Sequence, residues 1–448
     1  MFKIRVPDSA NAIIERLQAN GYEAYVVGGC VRDSLLGISP HDWDICTSAT
    51  PEQIVDSLCD HRIIETGIQH GTLTVVWDNE QYEVTTFRVD GDYSDHRHPD
   101  AVRFTTSLEE NLSRRDFTIN AMAYSNASGL IDPFGGVYDL REKKITCVGN
   151  PEDRFSEDAL RILRALRFSS TYQFHIESNT ATAIHQKADT LKQIAAERIR
   201  VELCKLLKGK GVLETLLEFS DVIAVVIPEI RPCIGFEQNN RFHQYTVFCH
   251  IAHAVANYQG DDDVVNMALL LHDIGKPNCY TEDERGGHFH GHGIVSHDIT
   301  EKVLEHLRFD NRSKNDIEEL VLYHDSVIEP TPRVVKRWLN KIGEKQFSRL
   351  LDIRIADILA HAVGTQQSRI ERHHALKEIF EKVLEEKECF TLKDMKINGH
   401  DLIHMGIPEG KQIGLVLNGL LDCVISGSLP NEHDALISAV KNYDAMGI

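Results

Sequence analysis

The hydrophobic pattern changes character near residue 140. Before that point, short β-rich runs alternate with helical starts: YEAYVV (22–27), WDICT (43–47), GTLTVVW (71–77) and QYEVTTF (81–87). Runs of this length, rich in Val, Thr and aromatics and bounded by turn residues, predict strands. The triplet Asp78-Asn79-Glu80 between the last two predicts a hairpin. The first twenty residues read as an amphipathic helix rather than a signal peptide. After residue 141 the spacing becomes helical through SEDALRILRALRF (156–168), AERIRVELCKLLKG (196–209), VVNMALLLHDIG (264–275), QFSRLLDIRIADILAHAV (346–363) and IERHHALKEIFEKVLEEK (370–387). The pattern predicts an α+β chain, with a small head of mixed sheet and helices followed by a long all-α neck, body and tail. The expected boundaries are 1–140, 141–210, 211–385 and 386–448.

At 448 residues the chain can bury more than one core. No apolar run reaches the ~18 residues of a membrane-spanning helix. The ten cysteines are scattered without any CxxC, which fits reduced thiols in a cytoplasm. The formal net charge of −20 argues against a nucleic-acid partner. Its distribution changes that picture. Residues 141–210 hold 14 Lys/Arg against 9 Asp/Glu, a local +5, so the rest of the chain carries −25. A polyanionic partner therefore remains compatible with the middle of the chain.

The stretch VVGGCVRDSLLGISPHDWDICT (26–47) concentrates candidate chemistry. If Asp42 and Asp44 lie on a strand, they project to one face and repel one another. A divalent cation relieves that repulsion, and hard oxygen ligands suit Mg²⁺. Gly28 and Gly29 allow close backbone approach to a ligand, a helix opening there favours phosphate, and Arg32 adds a charged fork. Glu83 in QYEVTTFR offers a third acid. The parts describe a triphosphate beside a carboxylate-bound metal, although an acid pair or a glycine pair alone reads equally as a surface strand and turn.

Taken together, GGxVRDxLLG followed by DxD resembles the signature of the class II tRNA nucleotidyltransferase and bacterial poly(A) polymerase family, which has a polymerase-β-like nucleotidyltransferase head. LSRRDFTINAMA (112–123) is similar to that family's second motif. The resemblance implies that Arg115 and Asp116 contact the nucleotide, with Asn120 supporting the site. DPFGGVYDL (132–140) resembles the hinge between head and neck, where two glycines would permit a bend. EDALRILRALR (157–167) resembles the family's base-selecting template, with Asp158, Arg161 and Arg164 as nucleotide-binding residues.

On a helix, Asp158 and Arg161 share a face. Asp accepts from the exocyclic amine of cytosine or adenine and Arg donates to a ring acceptor, whereas guanine and uracil put an acceptor opposite Asp. The plain alternative is a Glu157–Arg161 helix salt bridge worth about 0.2–0.5 kcal/mol. ERIRVE (197–202) is similar to a fifth motif that braces the template. The segment 91–104, with Asp95 and Arg97, resembles a loop needed to switch from CTP to ATP, which favours full CCA addition.

A second constellation lies among the 23 histidines. His250, then His272 and Asp273 in LLLHDIGKP, then Asp357 resemble the H…HD…D order of the HD phosphohydrolase superfamily, with the His-Asp pair on a helix. His292 and His324 are candidate ligands of a second metal. Imidazoles with carboxylates suit a divalent transition metal or Mg²⁺, and two-metal sites suit phosphoester hydrolysis. His243, His253 and His361 read as structural histidines. In the tail, Gly410-Lys411 could meet a tRNA phosphate or simply pack.

The resulting expectation is template-independent addition of CCA to tRNA 3′ ends from CTP and ATP. Asp42, Asp44 and Glu83 would be catalytic with Mg²⁺, and the HD site would act as a phosphatase or 2′,3′-cyclic phosphodiesterase. Alternatives are an A-adding or CC-adding specialist, a poly(A) polymerase, or an HD phosphohydrolase with a vestigial head.

Overall fold

The computed structural model describes residues 3–68, 71–91, 102–284 and 286–443. These divide into two compact units, 1–231 with 306–308, and 232–305 with 309–448.

The first unit is built on a seven-stranded sheet in the spatial order Arg62–Gly67, Thr72–Trp77, Glu80–Thr86, Ile45–Thr47, Ala24–Val27, Ala123–Ser125, Gly129–Ile131. Ile45–Thr47 runs parallel to the strand carrying Val84–Thr86. The remaining pairs are antiparallel, so the sheet is mixed. The hairpin expected at 78–80 forms: Trp77 pairs with Glu80, and Asp78 and Asn79 take φ of 50° and 66°. Two central residues with positive φ match the twist of flanking strands, and Asp and Asn tolerate that region. One face of the sheet buries Tyr25, Val27, Cys46, Phe87, Leu112 and Ala121 in a common core.

The helical signal after residue 141 is realised, with one interruption that matters. SEDALRILRALRF is not one helix. Pro151–Glu157 ends at Asp158, and Leu160–Tyr172 begins beyond it. The Leu160 N–H donates to Asp158 Oδ1 at 3.0 Å, so the aspartate caps the second helix instead of lying within it. Helix Leu160–Tyr172 packs against Ala196–Leu207. The hinge-like motif is clamped in this structure. Asp132 accepts from the Gly136 and Val137 N–H groups, Thr118 donates to Asp139, and a Cβ at Gly136 would strike the Thr118 carbonyl.

The second unit is almost wholly helical. Its site-bearing helices are Val247–Asn257, Asp263–Leu271, His292–His306, Asn311–Tyr323 and Glu344–Leu359. The His-Asp pair sits in the turn just past Leu271, with His272 as C-cap, and not inside the helix as expected. The tail has its own core from Met395, Leu402, Leu420, Leu421 and Leu436, consistent with packing around helix Lys411–Ser426. Among the described residues, no helix is long and apolar enough to cross a membrane.

Candidate functional sites

In the first unit, the strand Ala24–Val27 ends in a turn that only glycine can make comfortably. Gly28 has φ +83°, and a Cβ there would lie 2.6 Å from Arg115 Nη1. The guanidinium of Arg115 thus packs directly on the glycine, and its Nη1 donates to the Asn120 carbonyl at 3.4 Å. Gly29 opens the short helix Gly29–Leu35.

Asp42 and Asp44 do not lie on a strand; ladder pairing begins at Ile45. The reason lies in the partner strand. The partner strand has already turned at Gly28, so the last bond in this direction is Val27 N–H to the Asp44 carbonyl at 3.0 Å. Both acids occupy the exposed lead-in to the strand. The parallel register Ile45↔Val84 puts Glu83 beside Asp44. The surrounding protein raises the Asp44 pKa, Arg115 opposes that, and the charges of Glu83 and Asp42 raise it further. Asp44 with two further carboxylates close by forms a donor set suited to a hard cation. Their ligand atoms do not close into one of the tight groups found in the second unit.

A buried polar chain connects the motifs. Arg32 Nη1 donates to Asn120 Oδ1 at 2.5 Å, and Asn120 Nδ2 donates to Asp116 Oδ1 at 2.9 Å. Arg164 Nε donates to Asp116 Oδ2 at 2.8 Å. Burial alone would raise the Asp116 pKa, but Arg164 and Asn120 hold it far below the usual carboxylate range. Arg32 also donates to Asp33 and lies over the Phe168 and Tyr172 rings at 5.0 and 4.9 Å. Tyr172 in turn donates to Asp33 at 3.0 Å. Arg32 is therefore 7% exposed and held inside the protein, not reaching out as a free fork.

Asp158, Arg161 and Arg164 border one hollow of about 280 Å³, together with Arg115, Asp116 and Arg198. The expected sharing of a helix face does not occur, because Asp158 precedes the helix that carries Arg161. The Glu157–Arg161 ion pair does form, at 2.6 Å. Arg161 also donates to the carbonyls of Arg154 and Arg114. Asp158 Oδ2 accepts from Arg198 Nη2 at 3.2 Å. Arg198 and Glu202 both come from ERIRVE, and Glu202 pairs with Arg167 at 3.2 Å. That segment is tied by two ion pairs to Asp158 and to helix Leu160–Tyr172. Nothing in the spacing of ERIRVE marks Arg198, whose partner lies 40 positions away. Asp95 and Arg97 lie outside the described residues.

The second unit gathers two ligand groups: His250, His272, Asp273 and Asp357; and Asp273, His292 and His324. Within each group the candidate ligand atoms lie within 4.8 Å of one another. Asp273 belongs to both. His250 Nε2 lies 2.9 Å from Asp357 and 3.3 Å from Asp273 Oδ2, while His292 Nε2 lies 3.3 Å from Asp273 Oδ1. The other ring nitrogen of each histidine faces a backbone carbonyl: Ala360 for His250, Leu269 for His272, Phe289 for His292 and Val321 for His324. A proton on Nδ1 for those carbonyls leaves each Nε2 lone pair turned inward, the tautomer a metal requires.

Burial would lower the His272 pKa, but Asp273 and Asp357 carry it up to about 10. The clustered imidazole nitrogens and carboxylate oxygens fit a divalent metal, which would take the place of that proton. Lys276 Nζ reaches Asp273 Oδ2 at 2.6 Å and Gln238 at 2.9 Å. His243 and His361 were read as structural, and neither joins a ligand group. Both nevertheless border the same cavity, and burial holds their pKa values down to about 2 and about 4. No spacing signal in the sequence marks them. His253 stacks on Tyr245, 4.1 Å between ring centroids.

Three regional family models match the chain. A poly A polymerase head domain covers 24–146, a probable RNA and SrmB-binding site of polymerase A covers 173–233, and a putative tRNA nucleotidyltransferase domain 2 covers 293–440. The CCA-adding enzyme of Levilactobacillus brevis is 33% identical over 436 residues, covering 97% of this chain and 98% of the relative. That of Staphylococcus aureus is 31% identical over 440 residues, covering 97% and 98%. The crystal structure of the Bacillus stearothermophilus CCA-adding enzyme in complex with CTP superposes with a TM-score of 0.75 at 28% identity, over 98% of this chain and 97% of that one. The Thermotoga maritima CCA-adding enzyme complexed with tRNA shares the fold at TM-score 0.63 and 22% identity, over 98% and 97%.

Proposed function

The chain belongs to the CCA-adding enzymes, the tRNA nucleotidyltransferases, and from that premise we propose that it builds C-C-A on tRNA 3′ ends from CTP and ATP. The observation that carries this reading is the polar chain Arg32–Asn120–Asp116–Arg164, which ties the acid-bearing glycine turn to the base-selecting hollow. In the proposed reaction the tRNA 3′-hydroxyl oxygen attacks the α-phosphorus in line, the bond to the β-phosphate oxygen breaks, and pyrophosphate leaves. Asp42, Asp44 and Glu83 would hold Mg²⁺, which when bound neutralises charge on the phosphates. Arg115, fixed against Gly28, is positioned to meet the nucleotide, and Asp116 and Asn120 keep that edge of the site rigid. Asp158, Arg161 and Arg164 read the base. The work of the protein is chiefly positioning and charge neutralisation. Stepwise extension of a tRNA transcript tests the reading.

In this account 1–140 is the head, 141–210 the neck, 211–385 the body and 386–448 the tail. The ten free thiols fit a cytoplasmic protein. The tRNA backbone would meet the basic neck, where Arg167, Lys205 and Lys210 border a hollow with Phe168 and Tyr172. Replacing Lys205 and Lys210 together by Ala should weaken tRNA binding. It should also flatten the slope of log affinity against log salt by roughly 1.4–1.8, the value for two lost phosphate contacts. An unchanged slope in a filter-binding titration would remove these lysines from the path.

A second activity is favoured by one specific observation: Asp273 is shared between two ligand groups. That arrangement suits a two-metal phosphohydrolase, acting as a phosphatase or 2′,3′-cyclic phosphodiesterase. We expect His272→Ala to abolish metal-dependent phosphoester hydrolysis and to leave nucleotide addition within twofold. Hydrolysis that persists in the variant would show that it arises elsewhere.

A further inference from the structure

The cavity over the histidine-aspartate groups, about 400 Å³, is bordered by Asp273, His292, His324 and Asp357. It does not end at these ligands. His324, Asp325, Asp357 and Arg369 also border a second hollow of about 190 Å³, whose other polar walls are Arg354, Arg372 and His373. The two spaces share these four residues in their walls. The second is smaller than the ~300–1,000 Å³ typical of a whole drug-sized ligand, so it suits one group of a larger molecule.

Three arginines line it beside the two carboxylates of Asp325 and Asp357, so its charge balance is positive by one. Arg354 comes from helix Glu344–Leu359, and Arg369 and Arg372 come from helix Gln367–Glu385. Arg354 Nη1 donates to the carbonyls of His324 and Ser326 at 3.1 and 2.6 Å, and makes no ion pair among the described residues. Burial pushes its pKa down, Asp357 and Asp325 hold it up, and Arg369 and Arg372 push it down again. Arg369 comes only within 3.9 Å of Asp357 Oδ2. Arg372 pairs with Glu329 at 2.6 Å, but both side chains are exposed, at 42% and 61%. Such a pair is a weak neutraliser. His373 is 6% exposed, and its Nδ1 has no hydrogen-bond partner. Three guanidinium groups outnumber the two carboxylates around one small hollow, a balance that suits a phosphate.

Resting on the phosphohydrolase reading, we propose that this hollow is a subsite for a second phosphate, and that the substrate of the histidine-aspartate centre is a nucleoside bisphosphate. One phosphoester lies at Asp273 and Asp357, and the other phosphate lies among Arg354, Arg369 and Arg372. Arg369 borders both spaces, so one small molecule carrying two phosphates can present one to each. In the hydrolysis, water oxygen bonds to phosphorus, and the phosphorus–oxygen bond to the ribose breaks. The ribose oxygen leaves with a proton as the hydroxyl. Inorganic phosphate and a nucleoside monophosphate result, and the phosphate in the arginine hollow is untouched.

The test is calorimetric binding of adenosine 3′,5′-bisphosphate, adenosine 3′-monophosphate and adenosine 5′-monophosphate to the full chain loaded with Mn²⁺, with phosphate release measured in the same samples. Wild type should bind the bisphosphate at least tenfold more tightly than either monophosphate. Arg372→Ala should bring that ratio close to one, with CTP addition to tRNA unchanged as the control for folding. Dependence on Arg372 separates this site from the nucleotide site of the head. Equal affinity for all three ligands, or a preference that survives Arg372→Ala, overturns the subsite. An arginine-dependent preference without phosphate release upholds the subsite and removes the phosphohydrolase reading. Hydrolysis of bisphosphate and monophosphates at equal KM keeps that reading and rejects the subsite.

Discussion

Asp42→Ala should lower nucleotide addition by at least about 10³-fold and change tRNA affinity by less than about twofold. The size follows from what the acid is asked to do. Metal-borne charge stabilisation of a phosphoryl transition state is worth several kcal/mol, and each 1.36 kcal/mol is tenfold in rate. The selectivity for rate over binding follows from location. Asp42 lies exposed ahead of the strand Ile45–Thr47, where it supports no core packing. Its neighbours Asp44 and Glu83 are themselves acids, so its removal relieves repulsion and should not cost stability. Single-turnover addition with saturating CTP and Mg²⁺, beside a tRNA binding titration, separates the two effects. Turnover within tenfold of wild type at Mg²⁺ saturation would show that Asp42 does not hold the metal.

Loss of base choice is the second large effect expected. Asp158→Ala should raise the relative use of UTP and GTP by about 10-fold to 100-fold, because an unmatched polar group in the hollow costs about 1–3 kcal/mol. Arg161→Ala should do the same, with an added cost. Arg161 pairs with Glu157 and donates to two backbone carbonyls, so that variant should also unfold at lower denaturant. The structure adds a third position. Arg198 donates to Asp158, and Arg198→Ala should free the carboxylate from its fixed orientation and blunt discrimination without removing the acceptor. Competition of UTP against CTP on a tRNA lacking its terminal nucleotides reads all three. Discrimination unchanged in both Asp158→Ala and Arg161→Ala would reject the base-selecting role.

Most of the head was legible because its signals are local. The hairpin at Asp78-Asn79, the glycine turn at Gly28 and the helical spacing beyond residue 141 each depend on residues close in sequence. The break at Asp158 was not legible, since the apolar period runs through it unchanged and only the Leu160 N–H contact reveals the cap. The same limit explains Asp42 and Asp44. The β-rich run WDICT suggests a strand that includes them, but a strand extends only as far as its partner, and the partner's end at Gly28 is a tertiary fact. In the second unit the six residues named from the sequence as candidate ligands do come together in two groups. The surroundings were missed, because His243, His361 and the arginines at 354, 369 and 372 follow no spacing rule. Their meaning comes from the cavities they share.

The measurement that bears most directly on the central claim is extension of a tRNA transcript lacking its 3′ CCA, with Mg²⁺ and each nucleoside triphosphate singly and together. The account predicts two C residues with CTP alone, then a single A when ATP is present, and no further growth. Addition of A only to a transcript already ending in C-C, long runs of A, or no extension under any condition would contradict it.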